Sequence, residues 1–178
     1  MLQKCSILDV AGVFFNEPTK QHYLIEVSKK SKIAHTSVKK HLAKLKKLSI
    51  ISETVEIRGT RKFPLFKADI NSSNYRVYKN IYNLIKIKQS GLIEFLKSSL
   101  MPNCIVLFGS YQKGEDLENS DIDIFVEAKP TNLDLSVYKK RLHRNIQLIF
   151  KDNFKKYPKE LKNNIINGII LDGFLEAF

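Results

Sequence analysis

The stretch that most constrains this chain is Ile105 to Ala128, IVLFGSYQKGEDLENSDIDIFVEA. Ile105–Phe108 reads as an apolar strand ending in Gly109-Ser110, and a second strand carries Asp121 and Asp123 between apolar residues. Residues two apart on a strand share a face, so the two aspartates stand side by side while Ile122 and Ile124 point into a core. Adjacent carboxylates repel unless a cation lies between them, and a hard divalent ion bound to phosphate suits oxygen donors. The glycine admits a close backbone approach, and Ser110 is placed to cap a helix whose first N–H groups attract phosphate. A phosphate cradle beside paired carboxylates is equipment for phosphoryl or nucleotidyl transfer. The competing reading, a surface turn with solvated aspartates, explains neither the Gly-Ser pair nor the shared face.

Gly109-Ser110, ten further residues, then Asp121-Ile122-Asp123 between flanking strands resemble the signature of the minimal nucleotidyltransferases, a branch of the polymerase-beta-like superfamily. The likeness covers roughly the second half of the chain. It implies a small mixed sheet with flanking helices, nucleotide binding at Gly109 and Ser110, and Asp121 and Asp123 as catalytic residues and ligands of Mg²⁺ or Mn²⁺. Lys113, a cation on the intervening loop, joins the nucleotide-binding set by its charge; Tyr111 and Glu115 are further candidates. The resemblance also implies an NTP donor, ATP first among them, and a hydroxyl acceptor. Members of the family are often antitoxins that adenylylate a partner toxin, so a protein partner is one such acceptor.

One family feature is missing. A third carboxylate belongs on a later strand, and the matching strand Ile146–Phe150 carries Gln147 at its polar position. A neutral amide cannot take the proton of an attacking hydroxyl and is a weak ligand for Mg²⁺. Asp152, just past that strand, is a poorer candidate on geometry. The chain therefore reads as a nucleotidyltransferase or, alternatively, as a nucleotide-sensing transcriptional regulator with a degenerate site.

Charge separates the two halves. The net charge is +12, and a cut after Ile70 leaves 14 basic and 6 acidic residues before it against 16 and 12 after. So strong an excess in a small segment favours a polyanion, although a solvated lysine surface would look the same by charge alone. Pattern distinguishes them. Helices are expected over about 3–15, 22–31 and 36–48, the last with Thr36 as N-cap, followed by strands around 54–57 and 63–66 joined by a basic turn. This layout resembles the winged helix-turn-helix of small prokaryotic regulators. The resemblance implies DNA contacts from Thr36, Ser37, Lys40 and Lys44 on the third helix and from Arg58, Arg61 and Lys62 on the wing. No bidentate arginine stands on the reading helix, so modest sequence discrimination is expected. Protein docking and RNA binding are the alternatives for this face.

A helix over 71–88 carries two apolar stripes, Val77-Ile81-Leu84 and Tyr78-Tyr82-Ile85, wide enough to be covered on two sides. Its tyrosine-rich side is a candidate homodimer contact. Helices over 92–100 and after Asn132, a strand over 145–150 and a closing helix over 159–178 complete the reading. The fold class is α+β: residues 1–70 form a winged helix-turn-helix, and 71–178 a linker helix and nucleotidyltransferase domain. No apolar run is long enough to span a bilayer and no secretory leader opens the chain. With Cys5 and Cys104 expected as buried thiols and the histidines scattered, a cytoplasmic protein without a zinc site or a membrane partner is expected.

Overall fold

The computed structural model describes residues 5–150 and 157–175. The chain divides into two compact units, Met1–Tyr82 and Asn83–Phe178.

The first unit runs α1 (Ser6–Asn16), β1 (Gln21–Tyr23), α2 (Leu24–Ser31), α3 (His35–Lys47), β2 (Ile51–Arg58) and β3 (Arg61–Ala68). Helical spacing puts Val10 and Phe14 of α1, Val27 of α2, and Val38, Leu42 and Leu45 of α3 in one buried cluster. Each fully buried side chain of this size contributes about 1.5–3 kcal/mol. β2 and β3 form an antiparallel hairpin closed at Arg58↔Arg61, with Gly59 in the left-handed conformation that a tight hairpin turn demands. β1 was not expected. Gln21, His22 and Tyr23 become a strand by pairing with Lys67, Phe66 and Leu65 of β3, giving the order β1-β3-β2. α3 starts one residue before Thr36, with Ala34 at the N-cap, so Thr36 sits in the first turn and is not the cap.

Helix α4 (Ser73–Ser90) runs from the first unit into the second. Its two apolar stripes are buried only in part: Tyr82 is buried and Leu84 and Ile85 partly so, whereas Val77, Tyr78 and Ile81 are 58%, 41% and 46% exposed. The inward face instead carries Tyr75, Lys79 and Tyr82, then Asn83, Ile87 and Ser90. Polar side chains are tolerated there because they find partners. Tyr75 donates to the carbonyl of Phe14, and Asn83 donates to the carbonyl of Tyr111 and to Asp116.

The second unit continues with α5 (Leu92–Leu100), β4 (Cys104–Phe108), α6 (Gly109–Lys113), β5 (Ile122–Val126), α7 (Ser136–Leu142), β6 (Ile146–Phe150), α8 (Lys159–Ile166) and β7 (Ile169–Gly173). The sheet order is β6-β5-β4-β7, with β5 and β6 parallel and the other pairs antiparallel. One face buries Ile105, Leu107, Ile122 and Ile124 with Leu92, Leu96 and Leu142; the other buries Val106, Phe108 and Phe125 with Ile165. This alternation is the period of two expected of strands covered on both faces.

The closing helix is corrected by the structure. It stops at Ile166, and Ile169–Gly173 pair with β4 as an edge strand. Ile165, Ile166, Ile169 and Ile170 have helical spacing, yet Asn167-Gly168 breaks the helix and β-branched residues favour the strand. A Cβ on Gly168 would lie 2.5 Å from Val106 Cγ1 and 2.6 Å from the Leu107 carbonyl oxygen, so the turn packs directly on β4. Residues 176–178 of the expected helix, and Asp152, lie outside the described residues. Cys5 is exposed rather than buried, and neither cysteine forms a disulfide. Among the described residues no helix is long and apolar enough to cross a membrane.

Two outcomes follow from these contacts. Gly173 has φ +71 and a Cβ there would sit 1.9 Å from the Asn103 carbonyl oxygen. Gly173→Ala should therefore cost the second unit about 2 kcal/mol or more, read as a lower urea midpoint. In the first unit His22 is buried, with Nε2 3.3 Å from Glu17. Burial pushes its pKa down, Lys30 adds to this, and Glu17 opposes it. The unfolded chain thus binds the proton more readily. Stability should be full above about pH 6.5 and fall as pH drops from there toward the lower folded value, a slope that His22→Gln removes.

Candidate functional site

β4 ends at Phe108 in extended conformation, and the chain then turns sharply at Gly109, whose φ is +78, into the five-residue helix α6. Because the register pairs Phe108 with Asp123, the neighbouring strand lays the Asp123 side chain over this turn. A Cβ on Gly109 would lie 2.4 Å from Asp123 Oδ2. Gly109, Ser110 and Asp123 are therefore gathered at one corner, and Asp121 immediately precedes the same strand. Ser110 does not cap α6: it lies within the first turn, its carbonyl accepting the N–H of Glu115, while Phe108 occupies the cap position without a side-chain bond. Lys113 is exposed at the far end of α6. Tyr111, a candidate contact for nucleotide, is 4% exposed and packs in the core. It is structural.

Asp121 is exposed and Asp123 half-buried. Burial pushes the Asp123 carboxyl above its ordinary value, and the charge of Asp121 pushes it further. That second cause shows that the two carboxylates feel one another, as two residues on one strand face should. Neither has a hydrogen bond or ion pair to another described residue. Two unneutralised oxygen donors on one face fit a hard divalent cation. Among the described residues no group of three or more His, Cys, Asp or Glu is gathered to hold a metal. The reason is visible in the register. β5 and β6 pair Asp123 with Gln147, so the place beside the carboxylates holds an amide.

The loop that returns from α6 to β5 is fixed by groups that sequence reading overlooked. Asp116 is 1% exposed; it accepts a hydrogen bond from Asn83 Nδ2 at 2.9 Å and faces Arg144 NH2 at 3.6 Å. Asn83 also donates to the Tyr111 carbonyl at 2.8 Å, which ties α4, α6 and the loop together. Leu117 N–H donates to Ser120 Oγ, and Ile122 N–H donates to the Asn145 carbonyl. The only sequence signal was polar: an Asn and a Lys on the helix 71–88 where an apolar face was sought.

These observations meet the comparison with known proteins. Residues 90–172 match the family described as Polymerase beta, Nucleotidyltransferase. The second unit carries a nucleotidyltransferase domain of that family. The matched span begins at Ser90 and contains Gly109, Ser110, Asp121, Asp123 and Gln147, so the whole corner belongs to the nucleotidyltransferase domain. Among solved structures, a "possible transcriptional regulator" from Methanosarcina mazei Go1 is similar at 24% identity over 55% of this chain and 79% of that one, with a TM-score of 0.36. No curated protein matches the chain.

The first unit presents a second set of residues. Thr36, Lys40 and Lys44 are exposed on α3, with Ser37 partly so. Neither lysine ammonium has a partner among the described residues, whereas Lys46 is paired with Glu53 at 2.6 Å. At the hairpin, Arg61 and Lys62 are exposed without partners. Arg58 is engaged: it donates to Glu56 at 3.0 Å and to the Tyr23 hydroxyl at 2.7 Å, and lies over the Tyr23 and Phe63 rings.

Asp121→Asn should bring the Asp123 pKa down, because one of its two upward causes is removed while burial remains. A carbon-detected NMR titration of the carboxyl group measures this, and an unchanged value would separate the two side chains.

Proposed function

We propose that the second unit binds an NTP at the Gly109-Ser110 corner and transfers a nucleoside monophosphate to a hydroxyl, and that the first is a winged helix-turn-helix that binds DNA. The observation that supports the transferase half is the packing of the Asp123 carboxylate against the Gly109 turn. Gly109 and Ser110 expose backbone N–H groups and a hydroxyl to phosphate oxygens, and Lys113 adds a cation at the end of the same short helix. Asp121 and Asp123 would hold Mg²⁺ or Mn²⁺, which supplies charge stabilisation to phosphate oxygens when bound. The buried Asn83–Asp116 link keeps the loop, and with it Asp121, in place before any ligand arrives.

A specific observation favours a second reading. Gln147 stands in register with Asp123, so the chain offers no carboxylate there to take the acceptor's proton. On this reading the site binds nucleotide without turnover and adjusts DNA binding by the first unit. Full-length protein with each labelled NTP, Mg²⁺ and candidate acceptors, compared with Asp121→Ala/Asp123→Ala, distinguishes the two. Label moving onto an acceptor only in the intact protein establishes transfer. Magnesium-dependent binding without transfer establishes the sensor, and Gln147→Asp should then gain activity of tenfold or more.

For the first unit, α3 would enter the major groove with Thr36 and Ser37 toward base edges and Lys40 and Lys44 on phosphates. Arg58 must leave Glu56 to reach DNA, so Arg61 and Lys62 carry the wing's share. The exposed Val77, Tyr78 and Ile81 of α4 are the residues a second copy would cover, and the two free thiol groups suit a cytoplasmic protein. Lys40→Ala/Lys44→Ala should weaken duplex binding for all sequences alike and lower the slope of log affinity on log salt by about 2. Fluorescence anisotropy across a salt series measures it.

A further inference from the structure

The hairpin of the first unit keeps an apolar face beyond the core that requires one. Directly opposite residues of an antiparallel pair share a face, so one face of β2 and β3 is built from the pairs Ile51↔Ala68, Glu53↔Phe66, Val55↔Pro64 and Ile57↔Lys62. Its base belongs to the core: Ile51, Phe66 and Ala68 are buried in one cluster with Leu42 and Leu45 of α3. Farther out the same face emerges into solvent, with Val55 and Ile57 56% and 66% exposed. The opposite face of β2 is polar throughout (Ser52, Thr54, Glu56 and Arg58), so the overhang is apolar on one side only. A Cβ on Gly59 at the tip would meet no described residue within 4 Å beyond its chain neighbours. The end of the hairpin stands clear.

Charge indicates what this overhang meets. The apolar face carries one carboxylate, Glu53, and Lys46 of α3 already neutralises it at 2.6 Å. That bond also places α3 on the side of the hairpin from which Val55 and Ile57 project, two and four residues further along β2. Lys62 stands opposite Ile57, and Arg61 closes the hairpin with Arg58. Arg61 and Lys62 have no partner among the described residues. On the other face Glu56 holds Arg58 and accepts a hydrogen bond from Tyr23, so an acid lies in the way of a polyanion there. An apolar strip rimmed by unpaired cations fits the minor groove of a duplex. Proteins that enter that groove set side chains such as Ile, Leu or Phe between base steps and lay Arg or Lys along it.

We propose that Val55 and Ile57 form an apolar wedge that enters the minor groove, partly unstacks one base step and bends the duplex, while Arg61 and Lys62 hold phosphates at the groove's rim. This deepens the DNA-binding reading of the first unit and rests on it. The wedge supplies a sequence preference that α3 is poorly equipped to give, because α3 contains no Arg, Asn or Gln to pair bidentately with a base edge. Unstacking is easiest at pyrimidine–purine steps such as TA and hardest in stiff A-tracts, so the wedge reads deformability and not base edges. Release of water from two apolar side chains as they seat offsets part of the cost of opening the step. A wing that used its cations alone would have the reverse preference, for the narrow and strongly negative groove of an A-tract.

The test uses the full chain and three variants, Val55→Thr/Ile57→Thr, Ile57→Val and Ile57→Lys. The replaced side chains are exposed, so each variant should fold, which its amide spectrum verifies. Probes are duplexes of equal length, one centred on a TA step and one on an A-tract. Anisotropy across a salt series measures affinity, and energy transfer between end labels measures the bend. The intact protein and Ile57→Val should bind the TA duplex about tenfold tighter than the A-tract duplex and bend it. Val55→Thr/Ile57→Thr should lose both the preference and the bend with its salt slope unchanged, since no phosphate contact is removed. Ile57→Lys should weaken binding to the TA duplex in spite of the added charge. Tighter binding with a steeper slope would make position 57 a phosphate neighbour and overturn the proposal. A preference and bend that survive in the threonine pair overturn it too, as does dissociation of a dimer by that pair in sedimentation, which would give the face to a second copy. Duplex binding that depends on Lys40 and Lys44 but shows no preference for the TA step overturns the wedge alone. No binding to either duplex overturns the DNA reading with it.

Discussion

The second unit depends on one close contact, the carboxylate of Asp123 laid over the backbone of Gly109. It arises from two local facts. β4 must end in a residue able to take φ +78, and the antiparallel register must bring Asp123 opposite the residue before it. A side chain at position 109 would meet the carboxylate oxygen at 2.4 Å, so glycine serves here for space as well as for conformation. The burial that this packing imposes pushes the Asp123 pKa up, and Asp121 adds to it. Strand register, packing and electrostatics thus converge on one pair of carboxylates.

A buried polar network supports the contact from behind. Asp116, Asn83 and Arg144 are drawn from a loop, from α4 and from the turn before β6, so no local segment contains the arrangement. Removing a charged group from water is costly unless hydrogen bonds and an opposite charge compensate it. Here Asn83 supplies the hydrogen bond and Arg144 the charge, at 2.9 and 3.6 Å. Such a network gives definition more than stability. It fixes the path of the loop between α6 and β5, and so fixes the entry of the strand that carries both aspartates.

What the sequence could announce follows from how local each signal is. Helix 92–100 was legible to the residue because its apolar face and the flanking breakers Gly91 and Pro102 all lie within one short span. The paired aspartates were legible because a strand's period of two needs no partner to be read. β1 was not, since three residues without alternation become a strand only through β3. The C-terminal segment misled because isoleucines at 165, 166, 169 and 170 satisfy helical spacing, and only Asn167-Gly168 and pairing with β4 decide for a strand. The inward face of α4 was misread for a related reason. Apolarity marked Val77 and Ile81, whereas Lys79 and Asn83 are the buried residues, Lys79 over the Tyr75 ring and Asn83 bonded to Tyr111 and Asp116 from distant segments.

The same register that brings the site together also separates its two abilities. Asp123 and Gln147 are neighbours on parallel strands, the place where a third carboxylate would stand. A third negative charge there would push Asp123 further up, because like charges at close range disfavour one another's ionised forms. The amide avoids that penalty, so two ionised carboxylates are easier to maintain with Gln147 than with an acid. It also forfeits the proton acceptor. Holding a cation and a triphosphate, and deprotonating an acceptor, therefore make opposite demands on position 147. Glutamine favours holding. If this chain transfers a nucleotide, the acceptor's proton leaves by a route outside the carboxylate pair.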